Sequence, residues 1–141
     1  MKKLIPLLFI LPTLSHAIES DWSIDKNNCI AYSKETTSDD GAFFMAASIT
    51  ESGNLRGLIL YSSANGVTPL DGAQALATNG RAIKYSVTTP TPKTIMFEPQ
   101  QPSDTMFLLQ TATTGSVNFN KIILRTAGAK SAIDYLFANC N

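Results

Sequence analysis

The chain has only two cysteines, Cys29 and Cys140, one near each end, and it opens with an export signal. In an oxidising compartment two lone thiols pair, so the start of the folded domain is expected to be tied to its last element. The positions are 111 apart. A cross-link over so long a loop limits which folds the chain can adopt.

The signal is read from three features. Met1, Lys2 and Lys3 form a positive start, Leu4 to Leu14 an apolar stretch interrupted by Pro6 and Pro12, and Ser15-His16-Ala17 a small-residue cleavage site. The apolar stretch is about half of the roughly 20 residues that a spanning helix needs. The expected mature chain begins at Ile18, is periplasmic or secreted, and forms one domain over residues 18–141. Lys2 and Lys3 leave with the signal, so nine basic and eleven acidic side chains remain. That slight negative charge argues against nucleic acid or an anionic membrane as partner. A hydrophobic content of 44% is that of a packed globule.

His16, the only histidine, lies in the signal. Mature-chain catalysis by Ser-His-Asp or Cys-His is therefore excluded, because both need an imidazole base. Most zinc and copper sites are excluded too, and pairing of the cysteines removes the thiolates. No catalytic, metal or cofactor-binding residue is assigned, and no cofactor is expected.

Turn signals recur at short spacing: Asp40-Gly41, Ser52-Gly53-Asn54, Asn65-Gly66, Asp71-Gly72, Asn79-Gly80 and Pro90-Thr91-Pro92. Short aliphatic and aromatic runs lie between them, as in an antiparallel sheet. Ala42 to Ile49 is apolar at nearly every position and reads as a central strand covered on both faces, as does Leu58 to Tyr61, with a hairpin loop over Glu51 to Asn54. Ile83, Tyr85 and Val87 alternate with polar residues, and Ile95 to Phe97 forms a further strand. Val117 to Leu124 reads as one strand whose apolar phase shifts near Lys121, which predicts a β-bulge. Thr88 to Lys93 reads as a rigid connecting loop.

Asp104 to Thr114 reads as a helix with Ser103 as N-cap and Gly115 just beyond its end. Its apolar set is Met106, Phe107, Leu108, Leu109 and Ala112; its threonines leave a strand open. Gly128 to Asn139 reads as a second helix, with Ala129, Ile133, Leu136, Phe137 and Cys140 on one inward face. The expected fold is α+β: an antiparallel sheet or sandwich of about six or seven strands, with one or two short helices, the last at the C-terminus.

Several motifs have weak chemical readings. Ser23-Ile24-Asp25-Lys26 matches S-x-x-K without the companion motifs of penicillin-binding enzymes, although Lys93-Thr94 mimics part of one. Gly128-Ala129-Lys130-Ser131 lacks the spacing of a phosphate loop, and Asp39-Asp40-Gly41 lacks the ligand alternation of a calcium loop. Glu35, Asp39 and Asp40, converging with Glu51 or Asp104, would give a carboxylate pair for glycoside chemistry. Trp22 is either a binding anchor or, by its size, packed across the disulfide or the core edge.

Trp22, Cys29-Ile30-Ala31, Ile122-Ile123-Leu124, Gly128 and a short helix ending at Cys140 together resemble small exported bacterial proteins of the invasion-associated locus B type. The resemblance covers the two ends of the mature chain. It implies an exported, non-enzymatic, β-rich domain of a host-associated bacterium and carries over no functional residues. The expected function is a binding or interaction module with a protein partner. The alternatives are a secreted inhibitor or immunity-type protein acting on a cell-wall hydrolase, and a carboxylate-dependent hydrolase.

Export predicts that N-terminal sequencing of the protein from the periplasm or medium starts at Ile18. A soluble cytoplasmic form that retains Met1 would remove the compartment argument.

Overall fold

A computed structural model describes residues 20–140, so the expected signal over residues 1–17 lies outside the described residues. Ten strands and two helices follow one another: β1 (Trp22–Asp25), β2 (Ile30–Ser33), β3 (Thr36–Ser38), β4 (Gly41–Ile49), β5 (Leu55–Ser63), β6 (Gly72–Thr78), β7 (Arg81–Thr91), β8 (Thr94–Pro99), α1 (Pro102–Ala112), β9 (Ser116–Phe119), β10 (Ile122–Arg125) and α2 (Ala129–Asn139). They form one sheet in the order β1-β2-β4-β5-β8-β7-β6-β9-β10, with β3 beside β4. Every pairing is antiparallel. The α+β class and the C-terminal helix stand as expected, but six or seven strands was too few.

The extra strands come from chain reversals that the apolar pattern disguises. Over Val117 to Leu124 no bulge forms. Asn120 and Lys121 adopt positive φ (48° and 74°) and turn the chain back on itself, the conformation of a two-residue type I′ hairpin. The phase shift is that reversal, with Val117 paired to Leu124 and Phe119 to Ile122. Thr88 to Lys93 is not a loop either: β7 runs to Thr91, which pairs with Thr94 across Pro92-Lys93, and the bulge lies between Thr88 and Thr91. Pro90 fits there because a bulge leaves a ladder position that needs no N–H. The turn at Asn79-Gly80, both at positive φ, and the hairpin between β4 and β5 are where the sequence places them.

Alternation along the strands sorts side chains between two faces. The inner face carries Met45, Ala47, Ile59, Ile83, Tyr85, Val87, Phe97, Val117, Phe119 and Leu124 in one core. The Phe119 ring lies 5.3 Å from Phe97, 5.5 Å from Tyr85 and 6.0 Å from Phe43. Phe43 belongs to β4 and Phe119 to β9, far apart in the strand order, so only a curled sheet brings them together. Across the seam, the Thr36 hydroxyl of β3 donates to the Ile123 carbonyl of β10 at 2.9 Å.

Both helices pack on the inner face. Leu108, Leu109 and Ala112 of α1 and Ala129, Ala132 and Leu136 of α2 belong to the same core. Gly57 admits α1, since a Cβ there would come within 2.8 Å of Leu109 Cδ2. The outer face of β4 and β5 therefore differs from the expected two-sided cover. Tyr32, Phe44, Ala46, Leu58, Leu60 and Met96 occupy it and shield one another, and Tyr32 meets Phe44 edge-on at 6.1 Å.

Helix α1 starts two residues earlier than Ser103 would set it. Gln101 is the N-cap, without a side-chain bond, and Pro102 takes the first turn, where its missing N–H costs nothing. Thr113 is the C-cap, so Gly115 stands two residues beyond it. The threonines that allowed a strand bond back onto the helix: Thr113 Oγ1 donates to the Gln110 carbonyl and Thr114 Oγ1 to the Thr111 carbonyl, both at 2.6 Å.

Cys29 and Cys140 form the expected disulfide, with Cα atoms 5.8 Å apart. It joins the β1–β2 turn to the end of α2. Trp22 packs at the core edge, and its indole N–H donates to the Thr126 carbonyl at 2.9 Å.

Two stability predictions follow from this packing. Closing so long a loop stabilises by about 4–5 kcal/mol in the chain-entropy account. Cys29→Ser should therefore lower Tm by about 10–20 °C for a domain of this size, measured by calorimetry; an unchanged Tm would contradict it. The second concerns Tyr85, fully buried with its hydroxyl 2.7 Å from Thr78 Oγ1. Burial, offset in part by the Thr78 bond and helped by the nearby Asp104 charge, pushes its phenol up to about 12. The neutral phenol is thus favoured in the folded state. Its contribution is complete below about pH 10 and lost as pH rises toward 12, at most about 3 kcal/mol. Denaturant unfolding between pH 9 and 12 should show that loss, and Tyr85→Phe should flatten it.

Candidate functional site

Helical geometry leaves surplus apolar residues at the surface. Met106, Phe107, Leu108 and Leu109 are consecutive, and neighbours on a helix point about 100° apart, so they cannot all face the core. Leu108 and Leu109 turn inward, Phe107 is half-buried beneath the Arg81 guanidinium at 4.7 Å, and Met106 is left 47% exposed. On α2, Leu136 takes the inward place and its neighbour Phe137 is 42% exposed. The expectation that Phe137 shares the buried face is thereby corrected.

These two side chains border one cleft. It has a volume of about 390 Å³ and lies between α1, α2 and the β4–β5 loop, with Leu55, Leu109 and Ile133 lining it. The loop is braced from within. Thr50 N–H donates to the Asn54 carbonyl at 2.8 Å, Gly53 N–H to the Thr50 carbonyl at 2.9 Å, and Asn54 N–H to Thr50 Oγ1 at 3.1 Å. Gly53, at φ 85°, permits the tight return.

A second compartment of about 600 Å³, lined by both apolar and polar side chains, adjoins the first and shares Asn54, Leu55 and Met106 with it. Thr50, Arg56, Glu98, Gln100 and Thr105 face it. Arg56 and Glu98 form a two-pronged pair, Nε to Oε2 at 2.6 Å and Nη2 to Oε1 at 2.9 Å. Arg56 and Glu98 offset each other's charge as an ion pair, and the bond from Glu98 raises the Arg56 pKa above its ordinary value. The site joins an apolar cleft to a neutral, hydrogen-bonding surface.

The sequence candidates lie elsewhere. Asp25 closes the β1–β2 turn by accepting from the Asn27 and Asn28 backbone and the Asn28 amide, and the Asn28 side chain first among these lowers its pKa. Lys26 sits over the Tyr135 ring at 5.9 Å. Gly128 is the left-handed N-cap of α2, at φ 93°, and Lys130 is exposed and pairs with Asp134 at 2.8 Å. Glu35, Asp39 and Asp40 do border one shallow depression of about 430 Å³. Glu51 and Asp104 are not part of it; Asp104 pairs with Arg81 at 2.8 Å. Among the described residues, no group of three or more His, Cys, Asp or Glu gathers as a metal site, and no helix is long and apolar enough to cross a membrane.

The cleft is not legible in the sequence, because Met106 and Phe137 fit the apolar pattern of their helices and read as core. The available signal was the run of four apolar residues on α1, one more than a buried face can take. Comparison with known proteins finds no matching family model, no matching characterised protein and no matching solved structure.

Proposed function

We propose that the protein is an exported, non-enzymatic binding module and that the cleft between α1 and α2 is its face for a protein partner. The observation that carries this reading is the placement of Met106 and Phe137. They are two of the three large exposed apolar side chains among the described residues, and both border the same cleft. Single exposed apolar residues are ordinary, but apolar residues gathered around a concavity mark interaction sites. Braced walls favour the same use, since a preorganised site loses less freedom on binding. The resemblance to the invasion-associated locus B type agrees with an exported, non-enzymatic role and stands as part of this proposal.

The second reading, a secreted inhibitor or immunity-type protein acting on a cell-wall hydrolase, is favoured by one feature, the internally bonded β4–β5 loop at the cleft's edge. A rigid loop is what an inhibitor presents to an enzyme cleft. A hydrolase would draw on the Glu35, Asp39 and Asp40 depression.

The test is photo-crosslinking in the native compartment. A photoreactive residue in place of Met106 should give discrete protein adducts, and one at Thr88, exposed on the outer face of β7, should give none. Phe137→Ser should remove the adducts. Equal adducts from both positions, or none from position 106, would overturn the proposal.

A further inference from the structure

We infer that the cleft takes one bulky apolar side chain, of leucine to phenylalanine size, from a segment of the protein partner, whose neutral main chain crosses Asn54 toward Gln100 and Thr105. This rests on the cleft being the binding face and adds the chemistry of what enters it.

The apolar compartment, about 390 Å³ in volume, suits one or two side chains. It lies near the bottom of the range of about 300–1,000 Å³ for small-molecule sites. The adjoining compartment adds the Gln100 amide oxygen and the Thr105 hydroxyl, with Gln100 Nε2 donating to Ser86 and Thr50 Oγ1 accepting from the Asn54 N–H, beside the mutually neutralised Arg56 and Glu98. Amides and hydroxyls match the donors and acceptors of peptide groups. A carboxylate or phosphate head would call for a cation free to form charged hydrogen bonds, whereas Arg56 already spends Nε and Nη2 on Glu98.

The cleft is also open to solvent. Small-ligand sites bury about 70–90% of their ligand, so a free amphiphile here would keep much of its chain in water. A side chain mounted on a protein does not have this difficulty, because its own chain covers the open side. Two exposed rim side chains fall short of an interface of about 800 Å² per partner. A segment with a single anchor fits the size of the site; a broad flat face does not.

The methionines report on this directly. The mature chain keeps three, Met45 in the core, Met96 on the outer face and Met106 at the cleft. With methyl-¹³C methionine, each gives its own NMR signal. The probes are a blocked pentapeptide with a central phenylalanine between glycines and serines, its alanine counterpart, and dodecyl maltoside below its micelle concentration. The phenylalanine peptide should shift the Met106 methyl saturably and leave Met45 and Met96 unmoved. The alanine peptide should shift none. Phe137→Ser should weaken the peptide at least about tenfold, and Gln100→Ala several-fold, with the Met45 signal unchanged as a check on folding. A Met106 signal unmoved by the phenylalanine peptide, moved equally by the alanine peptide, or moved at lower concentration by the detergent would overturn the inference. Crosslinks from position 106 without a peptide shift would overturn the single-anchor ligand while leaving the binding face in place. Failure of both experiments would remove the face as well.

Discussion

Phe119 closes the curl on which everything else depends. It stands on β9, near one end of the strand order, and touches Phe43 on β4, near the other. Tyr85 and Phe97 meet the same ring from the intervening strands. Aromatic pairs contribute about 0.5–1.5 kcal/mol each beyond their buried area, so these three contacts favour a rolled sheet over a flat one. The roll in turn makes an inner face narrow enough for two short helices to cover. Thr36 and Ile123 join across the seam by a side-chain bond, so β10 and β3 come close without a backbone ladder.

The ends of the described chain hold each other in place. Asp21 N–H donates to the Ala127 carbonyl at 2.7 Å, the Trp22 indole to Thr126 at 2.9 Å, and the disulfide joins the next turn to Cys140. Edge strand β1 and helix α2 are thus fastened at several points. The consequence reaches the cleft. Ile133 and Phe137 sit on α2 just ahead of the disulfide, so the bridge that stabilises the fold also fixes one wall of the site. The loop opposite is braced by its own hydrogen bonds, so the cleft stands open without prior rearrangement.

The sheet and the bridge are legible in the sequence because each depends on local or compositional signals. Asn79-Gly80 turns where it does because both residues accept positive φ. Cys29 and Cys140 pair because no other thiol competes. The misreadings share a different cause. Asn120-Lys121 has no glycine, so its turn looked like strand interior and the reversed pattern looked like a bulge. Pro102 set the start of α1 by its fixed φ, overriding the better hydrogen-bonding cap offered by Ser103. Phe44 and Leu60 looked doubly buried because they cover each other on a face that neither helix reaches. The cleft itself was illegible, since which of several adjacent apolar residues turns outward depends on how two helices meet the sheet.

That competition for inward positions separates residues the fold requires from those it does not. Leu109 fills the space opened by Gly57, and Leu136 is fully buried; truncating either would leave a cavity costing about 2–5 kcal/mol. Met106 and Phe137 stand beside them and are nearly half exposed. Polar substitutions at exposed helix positions usually change stability by less than about 0.5 kcal/mol. Folding alone therefore gives little reason for a methionine and a phenylalanine at these positions. The third exposed apolar residue, Ile123, lies on β10 beside the seam, on a strand where β-branched residues are favoured for local reasons. Met106 and Phe137 have no such local reason, and what sets them apart is the cleft they share.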